Sequence, residues 1–276
     1  MLKLETSRLQ MLLHTPGDGF YEGTRFDRSG VWESLLFQGK ELCAPWYGEH
    51  KPLMHDAVRG PAEEFAPIPG IRPGTLVKIG VGLLEAHEKE YDRFKLYPVL
   101  DAGEWDSSQQ PDKVVFRHRL KGYYTYVKEV ALTGESAFEI RHSLELECPA
   151  PAFVYNHNFF TMGKLEVGPS RQVDFPFTPQ GQWRAEYNSV ALTPSGVRFL
   201  RPLLPGETVY NGSLHQAGAT GMPYRLTLRE GPLSVHISAP VPCTHTVLWA
   251  NPQIACLEPY NKVTPSWPVS YVIETE

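Results

Sequence analysis

The sequence lacks the features that mark membrane proteins and nucleic-acid-binding proteins. No apolar run approaches the roughly 18 residues that a membrane-spanning helix needs, and charged residues interrupt the N-terminal segment before it reaches signal-peptide length. Lys and Arg together number 26 against 31 Asp and Glu, which gives a formal net charge of −5. A protein that binds a polyanion normally carries a basic excess instead. We therefore expect neither a nucleic-acid partner nor a membrane partner.

Cysteine is scarce and unclustered. The four cysteines are Cys43, Cys148, Cys243 and Cys256. No two of them have the CxxC spacing, and none has the Cys/His spacing, that zinc sites use. Four free thiols fit a reducing compartment, although one disulfide pair stays an open alternative. The pattern predicts a cytoplasmic protein without a metal site.

Helical periodicity is almost absent, and short apolar runs separated by turn residues recur in its place. Phe138–Glu147 alternates apolar and polar residues with a period of two, as a half-buried antiparallel strand does. The 23 glycines and 25 prolines supply many turns. Further strands are predicted at 75–84, 93–100, 113–120, 123–132, 152–160, 188–192, 224–230, 233–238, 246–250 and 269–276. This pattern predicts an all-β, mostly antiparallel sandwich formed by one domain over residues 1–276, with two smaller all-β domains as the alternative.

One segment, Gln38–Ile71, shows little alternation and is rich in Pro, Gly, His and acidic residues. A long irregular segment inside a compact domain is commonly a binding or active-site loop. The same composition also suits a surface segment that covers a sheet edge. Both interpretations stay open at this point.

The familiar catalytic and phosphate-binding motifs are missing. The sequence contains no GxSxG, no GxxxxGK[ST] and no HExxH. The glycines of Gly80-Val81-Gly82 fall within a predicted strand and lack the third glycine of a dinucleotide site. Candidate chemistry therefore has to come from other segments.

Two segments carry titratable side chains in apolar surroundings. In Tyr155–Phe160, His157 is flanked by two asparagines, so it is either a general acid or a buried histidine satisfied by the main chain. In Ala255–Asn261, Glu258 follows the apolar run 247–257, which we interpret as a strand that ends there. Partial burial would raise the pKa of Glu258 and suit it to act as a general base, and the alternative is an ordinary strand-end glutamate.

Together the two segments resemble a known family. Asn156-His157-Asn158-Phe159-Phe160 is similar to the Asn-His-x-Tyr-Phe segment of the aldose 1-epimerases (galactose mutarotases), and Cys256-Leu257-Glu258-Pro259 is similar to their Cys-Leu-Glu-Pro or Cys-Leu-Glu-Thr segment. The two occur in the family's order. The resemblance implies the galactose mutarotase-like β-supersandwich. It also implies an isomerase that interconverts the anomers of a small carbohydrate without a metal or organic cofactor.

The resemblance also implies roles for individual residues. The general acid falls on His157 and the general base on Glu258, with Asn156 contacting substrate. The family's substrate-binding arginine falls on Arg25, with Arg28 in reserve. Alternatively, Asp27 pairs with one of these arginines in a charged hairpin tip.

One feature of the family has only a weak counterpart, and three aromatic residues are separate candidates for sugar contacts. The family's Leu-His-Gly-Gly segment is absent, so we assign its substrate-binding histidine to His55, with His50 and His87 as weaker candidates. Three aromatic residues could stack on the apolar face of a sugar: Tyr155, Phe159 and Tyr260.

The expected geometry is one concave pocket that holds His157 and Glu258 about 5–8 Å apart, with Arg25 at its rim. Two alternatives use the same scaffold. One is a sugar-binding protein without catalysis. The other is an isomerase or lyase of a modified or acidic sugar, in which the arginines near Arg25 hold an anionic substituent.

Overall fold

The computed structural model describes residues 1–218 and 221–276, and within them the regular secondary structure consists of β-strands. The strands in chain order are β1 (Leu2–Glu5), β2 (Leu9–Leu13), β3 (Trp32–Phe37), β4 (Lys40–Glu41), β5 (Gly60–Phe65), β6 (Ile68–Pro69), β7 (Thr75–Lys78), β8 (Gly82–Glu85), β9 (Val99–Asp101), β10 (Glu104–Gln109), β11 (Lys113–Leu120), β12 (Tyr124–Gly134), β13 (Ala137–Leu146), β14 (Val154–Phe159), β15 (Arg171–Asp174), β16 (Pro179–Gln180), β17 (Val190–Thr193), β18 (Gly196–Phe199), β19 (Val209–Gln216), β20 (Met222–Glu230), β21 (Leu233–Ala250), β22 (Ala255–Asn261) and β23 (Ser266–Thr275). Among these residues, no helix has the length and apolarity to cross a bilayer.

Most strands belong to one branched antiparallel sheet. Its long path runs β10-β11-β12-β13-β23-β21-β20-β15-β18-β17, and a branch runs β5-β14-β22-β21-β19-β16. Strand β21 belongs to both. Its residues Leu233–Ser238 pair with β23, whereas its second half, up to Ala250, pairs with β22. Two smaller sheets follow the orders β1-β2-β3-β4 and β6-β7-β8-β9. The predicted all-β, antiparallel fold is confirmed.

The alternation seen in the sequence produces the core. In β13, Phe138, Ile140 and Leu144 are buried, while Arg141 and Glu145 on the other face are exposed. These apolar side chains join a core cluster that extends through the long sheet. Full burial of each large apolar side chain contributes about 1.5–3 kcal/mol, so the sandwich is held mainly by this interior.

Two predicted strands are wrong in ways that matter for the site. Residues 75–84 lie in the hairpin β7–β8. Gly80 (φ 76°) lies in its turn and Gly82 (φ 134°) begins β8, and glycine tolerates both positive φ values. Residues 93–98 precede β9 and are not a strand. This non-strand stretch places Arg93 and Phe94 at a cavity described below.

The segment Gln38–Ile71 is only partly irregular. It contains β5, in which every residue is buried and which pairs with β14. The irregular stretch before β5 covers the β14 face, where Trp46 stacks on Phe159 with ring centroids 5.5 Å apart. Both interpretations of the segment are therefore incomplete, because neither includes a buried strand. The composition of Gly60-Pro61-Ala62-Glu63-Glu64 does not indicate one.

Candidate active site

The register of β5, β14 and β22 places the two predicted catalytic residues side by side. Tyr155 pairs with Glu64 on one flank and with Tyr260 on the other. Side chains alternate along a strand, so His157 lies on the same face two residues further and stands beside Glu258. The measured distance from His157 Nε2 to Glu258 Oε1 is 3.2 Å.

This pair opens onto a cavity of about 390 Å³. Small-molecule sites commonly have volumes of about 300–1,000 Å³. The strands supply its floor, and the segments 14–31, 42–59, 86–98 and 181–189 supply its walls. The lining side chains are Arg25, Asp56, Arg93, Phe94, His157, Phe159, Arg184, Tyr210, Trp249, Glu258 and Tyr260.

Two details of the expected geometry are corrected. The nearest atoms of His157 and Glu258 are 3.2 Å apart, closer than the predicted 5–8 Å. Glu258 lies in the middle of β22 and not at a strand end, because β21 ends at Ala250 and β22 begins at Ala255. The apolar run 247–257 therefore spans two strands and the turn between them.

Burial shifts the pKa values of the pair in opposite directions. It raises the pKa of Glu258 to about 7, with nearby Glu64 adding to the rise and Arg25 and Arg93 opposing it. Burial, reinforced by the same two arginines, lowers the pKa of His157 well below its ordinary value of 6.5. At neutral pH His157 is therefore uncharged, and Glu258 is divided between its protonated and ionised forms.

The environment of His157 fixes its ring but leaves one nitrogen unpaired. The imidazole stacks on Phe159 with centroids 3.8 Å apart, and Phe26 meets it edge-on at 5.8 Å. Its Nδ1 is buried and has no hydrogen-bond partner among the described residues. Since Nε2 faces Glu258, the ring is oriented by packing together with this one polar contact.

Arg25 is held at the cavity by a buried carboxylate. Its Nε donates to Glu64 Oε2 at 2.7 Å, and its Nη2 donates to the Tyr155 hydroxyl at 3.1 Å. The Tyr155 hydroxyl in turn donates to Glu64 and also accepts from Arg93 at 3.1 Å. Tyr155 thus lies behind the cavity as a connector, not as a sugar-stacking surface, whereas Phe159 and Tyr260 do line the cavity.

The alternative of a charged hairpin tip around Arg25 does not match the structure. Asp27 is buried and contacts Ser29, Tyr126 and Lys128 instead of either arginine. Arg28 donates to the main-chain carbonyls of Glu22 and Gly23 and does not line the cavity.

The structure places Asn156 away from the cavity, which corrects the prediction that it contacts substrate. Its Nδ2 donates to Glu63 Oε1 at 3.0 Å, and neither residue lines the cavity. The reason is the two-residue period of β14: if His157 faces the cavity, its neighbour on either side faces the interior.

His55 lies beside the cavity without lining it. Its ring is 5.1 Å from that of Phe94, and its Nδ1 is 3.1 Å from Asp56 Oδ1. The adjacent Asp56, and not His55, lines the cavity. The two other candidates lie elsewhere: His50 stacks on Phe20, and the exposed His87 pairs with Glu85.

Sequence reasoning missed most of the cavity wall. Arg93, Phe94 and Arg184 come from segments without regular structure, and Trp249 comes from a long strand whose outward residues gave no sign of function. Glu64 gave no signal in the sequence either, because the composition of its segment does not indicate a buried strand.

The fold can be compared with known proteins. No protein-family model matches the sequence, and no curated protein does either. Among solved structures, a galactose mutarotase related enzyme from Lactobacillus acidophilus is similar at 11% identity over 99% of this chain and 97% of that chain, with a TM-score of 0.57. The GalM/aldose epimerase homologue from C. elegans is 12% identical over 99% and 98%, with a TM-score of 0.55. A galactose 1-epimerase from L. acidophilus is 10% identical over 99% and 93%, with a TM-score of 0.53.

The chain has the galactose mutarotase-like fold. At these identities the likeness establishes the architecture alone. The chemistry depends on the side chains of this chain and on the cavity that they form.

Proposed function

We propose that this protein is an aldose 1-epimerase-like isomerase that interconverts the anomers of a sugar by acid/base ring opening. The observation that carries the proposal is the buried pair His157 and Glu258, 3.2 Å apart at the floor of a cavity of about 390 Å³. Acid/base catalysis needs two titratable groups whose pKa values are set apart by their surroundings. The fold shared with structures named as epimerases and mutarotases supports the same conclusion.

The close spacing of the pair suits this reaction. Ring opening removes the proton from the anomeric hydroxyl and adds one to the ring oxygen. Both oxygens are bonded to the same carbon, so two adjacent protein groups can contact them together. A sugar that enters the cavity would insert its anomeric end into the contact between His157 and Glu258.

The pKa directions suggest where the cycle begins. With the resting proton on Glu258, that acid donates to the ring oxygen while neutral His157 accepts the anomeric proton, and the C1–O5 bond breaks. Rotation of the aldehyde and reversal of both transfers then closes the ring in the other anomeric form. The family resemblance implies the opposite starting arrangement, with Glu258 as base. Each residue gives and takes one proton per cycle in either arrangement.

The remaining lining groups would bind and orient the sugar. The guanidinium of Arg25 is held in place by Glu64 and is suited to donate to hydroxyl groups. Trp249 and Phe94 line the cavity, and their rings are suited to pack against the apolar side of a pyranose. We further propose that residues 1–276 act as one domain. We also propose a cytoplasmic location, which the four unpaired cysteines support.

The reaction needs no metal in this proposal. Among residues 1–218 and 221–276, no group of three or more His, Cys, Asp and Glu side chains is arranged to hold a metal ion. Independence from a metal or other cofactor is a prediction, and treatment with a chelator tests the metal part of it.

The decisive experiment follows anomer interconversion in freshly dissolved sugars by polarimetry and by NMR exchange spectroscopy. The wild-type protein should accelerate the interconversion of at least one sugar in a panel of neutral and acidic aldoses. His157→Asn and Glu258→Gln should each lose activity by about 10²–10⁴-fold. The matched controls His87→Asn and Glu145→Gln alter exposed residues of the same types and should keep wild-type rates.

Other outcomes would count against the proposal. Binding of a sugar without faster exchange would indicate a sugar-binding protein, and a new product would indicate a different reaction at this site. Retention of near-wild-type rates by both variants would show that the pair does not carry the chemistry.

A further inference from the structure

The cavity wall carries more cationic charge than the proposed reaction uses. Three arginines line it: Arg25, Arg93 and Arg184. Neutral sugars need hydrogen-bond donors and acceptors but no excess of charge. A neutral sugar as substrate would therefore not explain why three guanidinium groups line the cavity.

Glu64 is the carboxylate shared by three of the cations at the site. It lies 2.7 Å from Arg25 Nε, 3.6 Å from Lys78 Nζ and 3.8 Å from Arg93 Nε. Glu64 and Lys78 are fully buried, and the Arg93 side chain is 31% exposed toward the cavity. One carboxylate thus faces three cations in a poorly solvated place, where charges are normally balanced.

The other carboxylates at the cavity are already engaged. Glu258 faces His157, and its raised pKa leaves it partly protonated at neutral pH. Asp56 lies 3.1 Å from His55. Neither is hydrogen-bonded to Arg93 or Arg184 in this structure.

Arg184 has no acidic partner among the described residues. It lies over the ring of Tyr210 at 4.7 Å, and its main-chain N–H donates to the carbonyl of Tyr210 at 3.1 Å. The side chain is exposed to solvent while it lines the cavity. A guanidinium that lies over an aromatic ring, lines the cavity and has no acidic partner among the described residues is suited to bind a ligand.

Arg93 and Arg184 rest on the same aromatic cluster. Arg93 lies over the Tyr155 ring at 5.6 Å and donates to the Tyr260 hydroxyl at 3.3 Å. Tyr155 and Tyr260 stack on each other, and Tyr210 packs against the cluster they form. Both guanidinium groups therefore lie against this cluster, and its residues Tyr155 and Tyr260 are two positions from His157 and Glu258 along β14 and β22.

We infer that the substrate is an anionic sugar whose carboxylate or phosphate group binds between Arg93 and Arg184, away from the anomeric carbon. Guanidinium groups bind both kinds of oxyanion through paired N–H donors, so the shared chemistry is an oxyanion on the sugar. The inference rests on the proposed function for the reaction. The anion site itself is a statement about binding and can be tested without turnover.

The test compares neutral and anionic sugars that share a ring. Glucose, glucuronate and glucose 6-phosphate are titrated into wild-type protein and into Glu258→Gln protein, with binding followed by calorimetry at low salt. Anomer exchange of each sugar is measured in parallel with the wild type. Glucuronate and glucose 6-phosphate serve as separate arms for the carboxylate and the phosphate.

We expect one anionic sugar to bind at least about 10-fold more tightly than glucose, and added salt to reduce this preference. Arg184→Gln should lower the preference by about 10-fold, the size expected for one charge-assisted hydrogen bond at a partly exposed site. Arg117→Gln, on an exposed face of β11, should leave the preference unchanged. Arg93→Gln serves as a second variant, with its fold checked by circular dichroism.

The outcomes separate the two proposals. Equal binding of glucose and both anionic sugars, or an anion preference that Arg184→Gln and Arg93→Gln both retain, would overturn the anion site even if exchange is accelerated. Tight arginine-dependent binding without accelerated exchange would support the anion site and refute the proposed reaction.

Discussion

Replacing Glu258 with glutamine should make the protein more stable above neutral pH while it removes activity. Burial raises the pKa of Glu258 from its ordinary 4.5 to about 7, so the folded state disfavours the charged form. Because one pKa unit corresponds to about 1.4 kcal/mol, ionising Glu258 costs the fold about 3 kcal/mol. Glutamine has the same shape, can still meet His157, and never carries this charge.

The sign of the pH dependence follows from the raised pKa. The contribution of protonated Glu258 to stability is fully present below pH 4.5, the ordinary pKa. It is lost as the pH rises through about 7, the pKa in the folded state. The difference in stability between Glu258→Gln and wild type should therefore grow across this window and level off above it, at about 3 kcal/mol in favour of the variant.

Urea denaturation of both proteins at pH 5, 6, 7 and 8, followed by intrinsic tryptophan fluorescence, measures this difference. Glu145→Gln, at an exposed position, provides the baseline for the same chemical change. A stability difference between Glu258→Gln and wild type that does not change with pH would refute the reasoning. It would mean that folding does not raise the free-energy cost of ionising Glu258.

Three further predictions concern the pH dependence of the rate, a buried ion pair in the interior and the need for a metal. The wild-type exchange rate should be bell-shaped in pH, falling above about 7 as Glu258 loses its proton and at low pH as His157 gains one; a rate still rising at pH 9 would contradict this. Glu63→Gln should destabilise the protein at pH 7 by about 3–5 kcal/mol in urea, since the pKa of Glu63, about 2, reflects its ion pair with buried Lys128. Activity should survive EDTA, and a loss restored by one divalent ion would show a metal requirement.

The two neighbouring buried glutamates of β5 contact different partners, which shows how closely this site depends on strand geometry. Glu63 and Glu64 are adjacent on β5 and point to opposite faces of the sheet. Glu63 meets Lys128 and Asn156 in the interior, while Glu64 meets the arginines behind the cavity. A shift of one residue in the β5–β14 register would exchange the two environments.

Local sequence patterns predicted the all-β fold class, and two short motifs predicted the two residues that lie together at the cavity floor. Period-two alternation, as in Phe138–Glu147, depends only on local geometry, so strands such as β11 and β13 could be predicted nearly to their ends. His157 and Glu258 could be found because each lies in a short motif that can be read without the fold. Arg25 could be predicted in the same way, from its own short segment, although it is far from both residues in the sequence.

Which face of a strand a residue occupies, and which segments meet at the cavity, follow from long-range packing and could not be predicted from the sequence. The sequence made both Asn156 and His157 site candidates, whereas the pleat of β14 directs Asn156 to the interior and His157 to the cavity. Arg93, Phe94 and Arg184 come from irregular segments, whose positions are set by long-range packing and not by local periodicity. The pKa of Glu258 likewise arises from burial and from charges contributed by distant parts of the chain, and these come together only when the sheet folds.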